Sequence, residues 1–175
     1  MNEKYTKTAI WLHWLMALLI LLVFPLGLYM HGLSLSPVKL KLFSYHKWAG
    51  ILLLLLALLR VLWRMTHRPP PLAVSRWQQL TSTAVHHALY LLLVLVPLSG
   101  WLMSSAKGFQ TVLFGILPLP DLVAKDKALG MLLESWHQGL NYLLLLLVAA
   151  HIAAALKHKL IDRDQVMSRM SLGKS

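Results

Sequence analysis

The sequence predicts an all-α membrane protein, a bundle of four transmembrane helices forming one domain over residues 1–175. Three observations carry this. Of 175 residues, 58% are hydrophobic, and mean hydropathy is +0.63. A soluble domain of this size has too little polar surface to cover so apolar a chain, so its solvent is a lipid bilayer. Four runs are long enough to cross a bilayer core, which takes about 20 mostly apolar residues each. There is no cysteine, which excludes disulfides, thiolate metal sites, iron–sulfur clusters and covalent haem attachment.

The first span covers residues 9–30. It is too long for a cleavable leader, has no small-residue cleavage site after it, and carries His13 between Trp11 and Trp14. The second covers 46–65, the third 83–103 and the fourth 135–157. Pro25 with Gly27, and Pro97 with Gly100, are candidate kinks in the first and third spans. The connection from Arg64 to Ser82 holds Pro69-Pro70-Pro71 and reads as stiff and extended. The connection from Lys107 to Glu134 is partly apolar, and either lies on the membrane surface or caps the bundle.

The formal charge of +11 comes from 17 Lys and Arg against 6 Asp and Glu. No basic helix or stacking platform accompanies it, so no nucleic-acid partner is predicted. Topology explains the charge better. Lys4, Lys7, Arg64, Arg68, Arg76, Lys157, Lys159, Arg163, Arg169 and Lys174 fall on one side; Lys39, Lys41, Lys47, Lys107, Lys125 and Lys127 fall on the other. The richer side is cytoplasmic by the positive-inside rule, which puts both termini there. Trp11, Trp14, Trp48, Trp63, Trp101 and Trp136 sit near span ends as an aromatic belt.

Ionisable residues inside spans are costly and therefore functional candidates. His13 lies six residues inside Lys7, and His151 six residues before Lys157. Each is about 9 Å inside its flanking charge at 1.5 Å per residue. They can face one another across a single iron. His46 and His137 lie together at the opposite boundary and form a second pair. His137 and His151 are 14 positions apart, which returns them to within about 40° of one face at an axial separation of about 21 Å. Two depth-matched pairs in a helical bundle suit two bis-His haems.

Arg60 stands 14 positions after His46, hence on the same face, near the level of the inner pair. It either pairs with a propionate of the inner haem or snorkels to the headgroups beside Arg64. His86 is the main rival ligand at the inner level, and His31 the rival to His46. His87 points about 100° away from His86 and cannot share its role. His67 and His158 read as solvated juxtamembrane residues.

The ordered segments Ala9-Ile10-Trp11-Leu12-His13-Trp14, Tyr45-His46-Lys47-Trp48-Ala49-Gly50, Arg60-Val61-Leu62-Trp63-Arg64, Ser135-Trp136-His137 and Ala150-His151-Ile152 through His158 resemble the bacterial dihaem cytochrome b561 family. The stretch from His86 to Gly100, with Tyr90 and Pro97, matches the family's third helix. The resemblance covers nearly the whole chain, and its outer loop, 107–134, is the least similar part. It implies two non-covalent haem b groups ligated by His13 with His151 and by His46 with His137. It also implies a bacterial inner-membrane location, electron exchange with ubiquinone, and oxidation of superoxide or another one-electron donor at the periplasmic face. The outer lysines are candidates for drawing in an anionic donor. His86, His87 and His158 are candidates for delivering protons to quinone. A cytochrome b subunit serving a partner dehydrogenase or hydrogenase is the alternative expectation, and a haem-free histidine relay transporter a third. A lack of Gly-rich nucleotide motifs argues against flavin or NAD in this chain.

Overall fold

A computed structural model describes residues 4–67 and 75–171. Its elements in chain order are α1 (Lys7–Gly32), α2 (Pro37–Thr66), α3 (Arg76–Ala106), a hairpin of β1 (Val112–Leu113) and β2 (Leu117–Pro118), and α4 (Lys127–Lys157). The chain then makes a π-helical turn (His158–Asp162) and a 3-10 turn (Ser168–Met170). The proline run Pro69–Pro71 and the basic residues Arg68 and Lys174 lie outside the described residues.

Each helix starts at a side-chain cap that satisfies an otherwise orphaned N–H. Thr6 Oγ1 accepts from Ala9, Ser36 from Lys39 with Pro37 in the first turn, and Asp126 from Leu129. Ser75 and Gln78 form a reciprocal capping box for α3. At 26 to 31 residues, the helices are about 39–46 Å long, against a hydrocarbon core of about 30 Å. They therefore run past the predicted spans. The helix carrying His46 begins at Pro37, and the one carrying His137 at Lys127, so these histidines sit two to three turns inside their helices rather than at the openings. The caps, not the hydropathy edge, set these boundaries. Both α1 and α3 run unbroken through Pro25 and Pro97.

The four helices all qualify as membrane spans by length and hydropathy. α1 packs on α2, α2 on α3, and α3 on α4, while α4 makes no comparable backbone packing against α1 or α2. The small core divides accordingly. Met16, Leu53 and Ala57 bury one cluster between α1 and α2, and Leu92, Val96 and Leu144 another between α3 and α4. Most leucines instead point outward, as lipid-facing side chains gain nothing from burial.

The long connection caps one end of the bundle. The Trp48 indole donates to the Val112 carbonyl at 2.7 Å, Trp101 to Pro120 at 3.2 Å and Lys47 Nζ to Phe109 at 2.9 Å. The hairpin tip leaves Phe114 and Ile116 69% and 84% exposed. At the other end, which carries both termini, Trp14 donates to the Met170 carbonyl and Trp63 to Thr6 Oγ1. Most of the belt tryptophans thus stitch helix ends to neighbouring segments, while Trp11 and Trp136 stay 61% exposed.

Candidate haem sites

The structure assembles the predicted histidines into two groups. At the end carrying the termini, the His13 and His151 rings have centres 6.2 Å apart at 76°. At the loop end, His46 and His137 are 6.3 Å apart at 85°. Imidazoles bonded on opposite sides of one metal ion, each at about 2 Å, hold their ring centres a little over 6 Å apart, by the bond lengths usual for histidine ligands. Both pairs have that separation. Each pair also bridges helices whose backbones stay apart, α1 to α4 and α2 to α4.

The loop-end pair shows how the sequence makes room. A Cβ on Gly100 would lie 3.0 Å from His137 Cε1, and one on Gly27 would lie 3.1 Å from His46 Cε1. A helical Cβ leans toward the helix N-terminus, so its absence uncovers the carbonyl one turn earlier. For Gly100 that is Val96, whose carbonyl accepts a 3.0 Å hydrogen bond from His137 Nδ1. Ser99 donates its own proton to the same carbonyl at 2.7 Å, and its oxygen lies 3.0 Å from His137 Nδ1 as a second acceptor. A carbonyl can only accept, so Nδ1 carries the proton and Nε2 keeps its lone pair. That is the tautomer a metal ligand needs, oriented as outer-shell partners usually orient it. For Gly27 the carbonyl is Val23, which sits beside the His46 ring without closing hydrogen-bond geometry. His46 Nδ1 is left buried without a partner. Around this pair lie Ile20, Phe24, Gly50, Leu53, Pro97 and Leu145, an almost wholly apolar lining. No Cβ at Gly50, one turn after His46, would meet anything within 4 Å. A flat apolar ring system fits this surface.

At the other site, His86 joins the pair. Its ring centre is 5.4 Å from that of His151, and Ser82 Oγ lies 3.3 Å from its Nδ1. Three imidazoles, those of His13, His86 and His151, therefore lie together at the inner level. Arg60 is close enough to act electrostatically on His13, His86 and His151. Its Nε donates to the Tyr90 hydroxyl at 3.0 Å. Arg60 is thus held beside the inner histidines, and both it and Arg64 lie near the Tyr90 ring, at 5.8 and 5.7 Å from its centre.

The remaining histidines lie apart from both pairs. His31 is exposed, and its carbonyl receives Lys39. His67 stacks flat on Trp63 at 3.9 Å. His158 binds Asp162 and Asp164 in the turn after α4. Among the loop-side lysines, Lys39 is bonded to the Leu33 carbonyl, Lys47 to Phe109, and Lys107 to Glu134 at 2.8 Å. Lys41, Lys125 and Lys127 make no such bond among the described residues.

The family model for prokaryotic cytochrome b561 matches residues 4–173. The chain belongs to the prokaryotic cytochrome b561 family. Cytochrome b561 homolog 2 of Escherichia coli (strain K12) is 38% identical over 176 residues, covering 99% of this chain and 93% of the relative. Cytochrome b561 homolog 1 of the same organism is 28% identical, covering 96% of this chain and 97% of the relative. A probable superoxide oxidase CybB of Yersinia pestis is 25% identical, covering 97% of each chain. Cytochrome b561 proteins bind b-type haem and carry electrons in membranes, and the chain is an integral membrane protein of that kind.

The roles of Ser99, the Val96 carbonyl and the two glycines emerge only from the tertiary structure. Gly27 and Gly100 were visible as kink residues, and Ser99-Gly100 inside an apolar run was the available signal. The backbone acceptor left no trace in residue identity.

Proposed function

We propose that this cytochrome holds two haem b groups, one between His13 and His151 and one between His46 and His137, and passes electrons from a periplasmic one-electron donor, superoxide, to ubiquinone. The observation that supports it is the matched 6.2 and 6.3 Å spacing of two imidazole pairs, each spanning helices without close backbone packing. The more basic end is read as cytoplasmic and the hairpin end as periplasmic, in a bacterial inner membrane.

Haem b, when bound, supplies one-electron redox chemistry. The protein's own groups set its surroundings. Val96 and Ser99 fix the His137 ring, and the apolar walls keep water from the interior. Arg60, without a carboxylate among the described residues, is the group suited to an inner-haem propionate. On the periplasmic face, Lys41, Lys125 and Lys127 raise the local concentration of a small anion. Superoxide needs no general acid there: it gives up one electron and leaves as dioxygen. Two such events supply the two electrons that quinone takes up with two protons to become quinol. The protons enter from the cytoplasmic side, where His86, His87 and His158 lie.

Pyridine haemochrome analysis of the purified protein should return two haems per chain. His13→Ala and His46→Ala should each retain one, with different spectra. One haem in the wild type would overturn the pairing. Rapid mixing with superoxide should reduce the cytochrome, and more slowly in a Lys41→Gln, Lys125→Gln, Lys127→Gln variant. Equal rates would remove the electrostatic role.

A further inference from the structure

A crevice of about 340 Å³ lies between α2 and α3, lined by Val61, Arg64, Met65, His87 and Tyr90 and by none of the four paired histidines. It opens on the flank of the bundle: Met65 is 74% exposed, and His87 is exposed as well. The lining divides by chemistry. Val61 and Met65 offer an apolar wall continuous with the lipid-facing leucines. Arg64, His87 and Tyr90 offer donors.

Among the described residues the charge there has no acidic partner. The acids described at this end, Asp162 and Asp164, are taken by Lys157 and His158. The other described acids, Asp121, Asp126 and Glu134, belong to the opposite end of the bundle, and Glu3 lies outside the described residues. Arg64 makes no ion pair with any described carboxylate; its guanidinium instead lies 5.7 Å from the Tyr90 ring centre. The Tyr90 hydroxyl accepts from Arg60, so its own proton is free to be donated. A guanidinium fork and a phenol beside an apolar groove, near the end of a span, are complementary to an anionic headgroup whose tail runs into the bilayer.

We propose that this crevice is a binding site for an anionic phospholipid of the leaflet at the terminus-bearing end. The phosphodiester accepts hydrogen bonds from Arg64 and Tyr90, and an acyl chain lies along Val61 and Met65. This goes beyond the electron-transfer reading and does not depend on it. A free phosphate would use the same donors but leave the apolar wall uncovered.

The test uses the full-length, haem-loaded protein in phosphatidylcholine vesicles, with spin-labelled phosphatidylglycerol or spin-labelled phosphatidylcholine as probe. The wild type should hold the anionic probe about fivefold more tightly than the zwitterionic one, the factor expected for one basic group at a lipid surface. Arg64→Gln should bring that preference close to one, Arg64→Lys should keep part of it, and Lys159→Gln, outside the crevice, should leave it intact. Haem spectra report whether each variant has folded. If Arg64→Gln does not fold, the wild-type preference and the Tyr90→Phe variant, expected to weaken it, decide the matter. A wild-type preference near one, or an unchanged preference in Arg64→Gln, overturns the proposal. So does full displacement of the probe by millimolar inorganic phosphate, which would make the site one for the free anion. Displacement by a short-chain ubiquinone in place of phosphatidylglycerol would assign the crevice to the electron acceptor and overturn it likewise.

Discussion

The ring of His137 occupies the place where a side chain on residue 100 would begin: a Cβ on Gly100 would stand 3.0 Å from Cε1 and 3.3 Å from Nδ1. Gly27 stands in the same relation to His46 on the opposite side of the bundle. Helices α1 and α3 therefore act as the seats on which two rings, borne by α2 and α4, come to rest.

Gly100→Ala is expected to displace His137 and weaken haem binding at the loop end while leaving the other site occupied. The ring must give by a few tenths of an ångström, which lengthens its bond to the Val96 carbonyl. Haem content should fall from two toward one per chain, with the remaining spectrum matching that of His46→Ala. Two haems with an unaltered spectrum would show that the contact is easily relieved.

Ser99→Ala removes one of the two acceptors at His137 Nδ1 and leaves the Val96 carbonyl in place. Losing an outer-shell partner typically weakens metal binding about 10–100-fold. With one acceptor kept, the lower end is expected, about tenfold in haem retention during transfer to apomyoglobin. His137→Ala should abolish binding at that site altogether.

Arg60→Leu should lower the midpoint potential of the inner haem, because a nearby positive charge favours the reduced, more negative state. A change on the order of 60 mV corresponds to about 1.4 kcal/mol for a one-electron couple. Tyr90→Phe, which keeps the charge, should move it less. An unchanged potential and occupancy in Arg60→Leu would mean that this arginine serves lipid rather than haem.

Asp164 links the C-terminal segment to α4. Slight burial pushes its carboxyl pKa up, but the Val166 N–H, the hydrogen bond with His158, and the His158 and Lys157 charges hold it below the usual carboxylate value. A carboxylate depressed in the folded state adds stability that is present above its unfolded pKa and lost as pH falls through the folded one. The segment should therefore loosen below about pH 4, the ordinary aspartate value. A spin label at Ser168 should gain mobility over that range in the wild type. In Asp164→Asn it should be mobile already at neutral pH.

Much of this was legible from residue order. The four spans, the helical periodicity that puts His137 and His151 on one face, and the matched depths of the two pairs follow from a fixed rise and rotation per residue. Arg60 was placed at the inner level by the same reasoning. The helix ends were less legible, because Ser36 and Asp126 cap helices that project beyond the bilayer core and hydropathy says nothing there. The lysines were read as one set, although three are bound to backbone or to Glu134, since a hydrogen bond across 62 positions, Lys47 to Phe109, has no local signature.

Sequence alone thus determined the solvent, the number of spans and which histidines share a helix face, because the cost of polar groups in lipid and the geometry of a helix act locally. Tertiary structure decided the rest. It set α4 apart from α1 and α2, so that rings rather than backbones meet in the middle. It also chose the Val96 carbonyl, uncovered by Gly100, as the group that fixes the His137 proton. Both depend on how helices distant in the chain lean on one another, which no local pattern encodes.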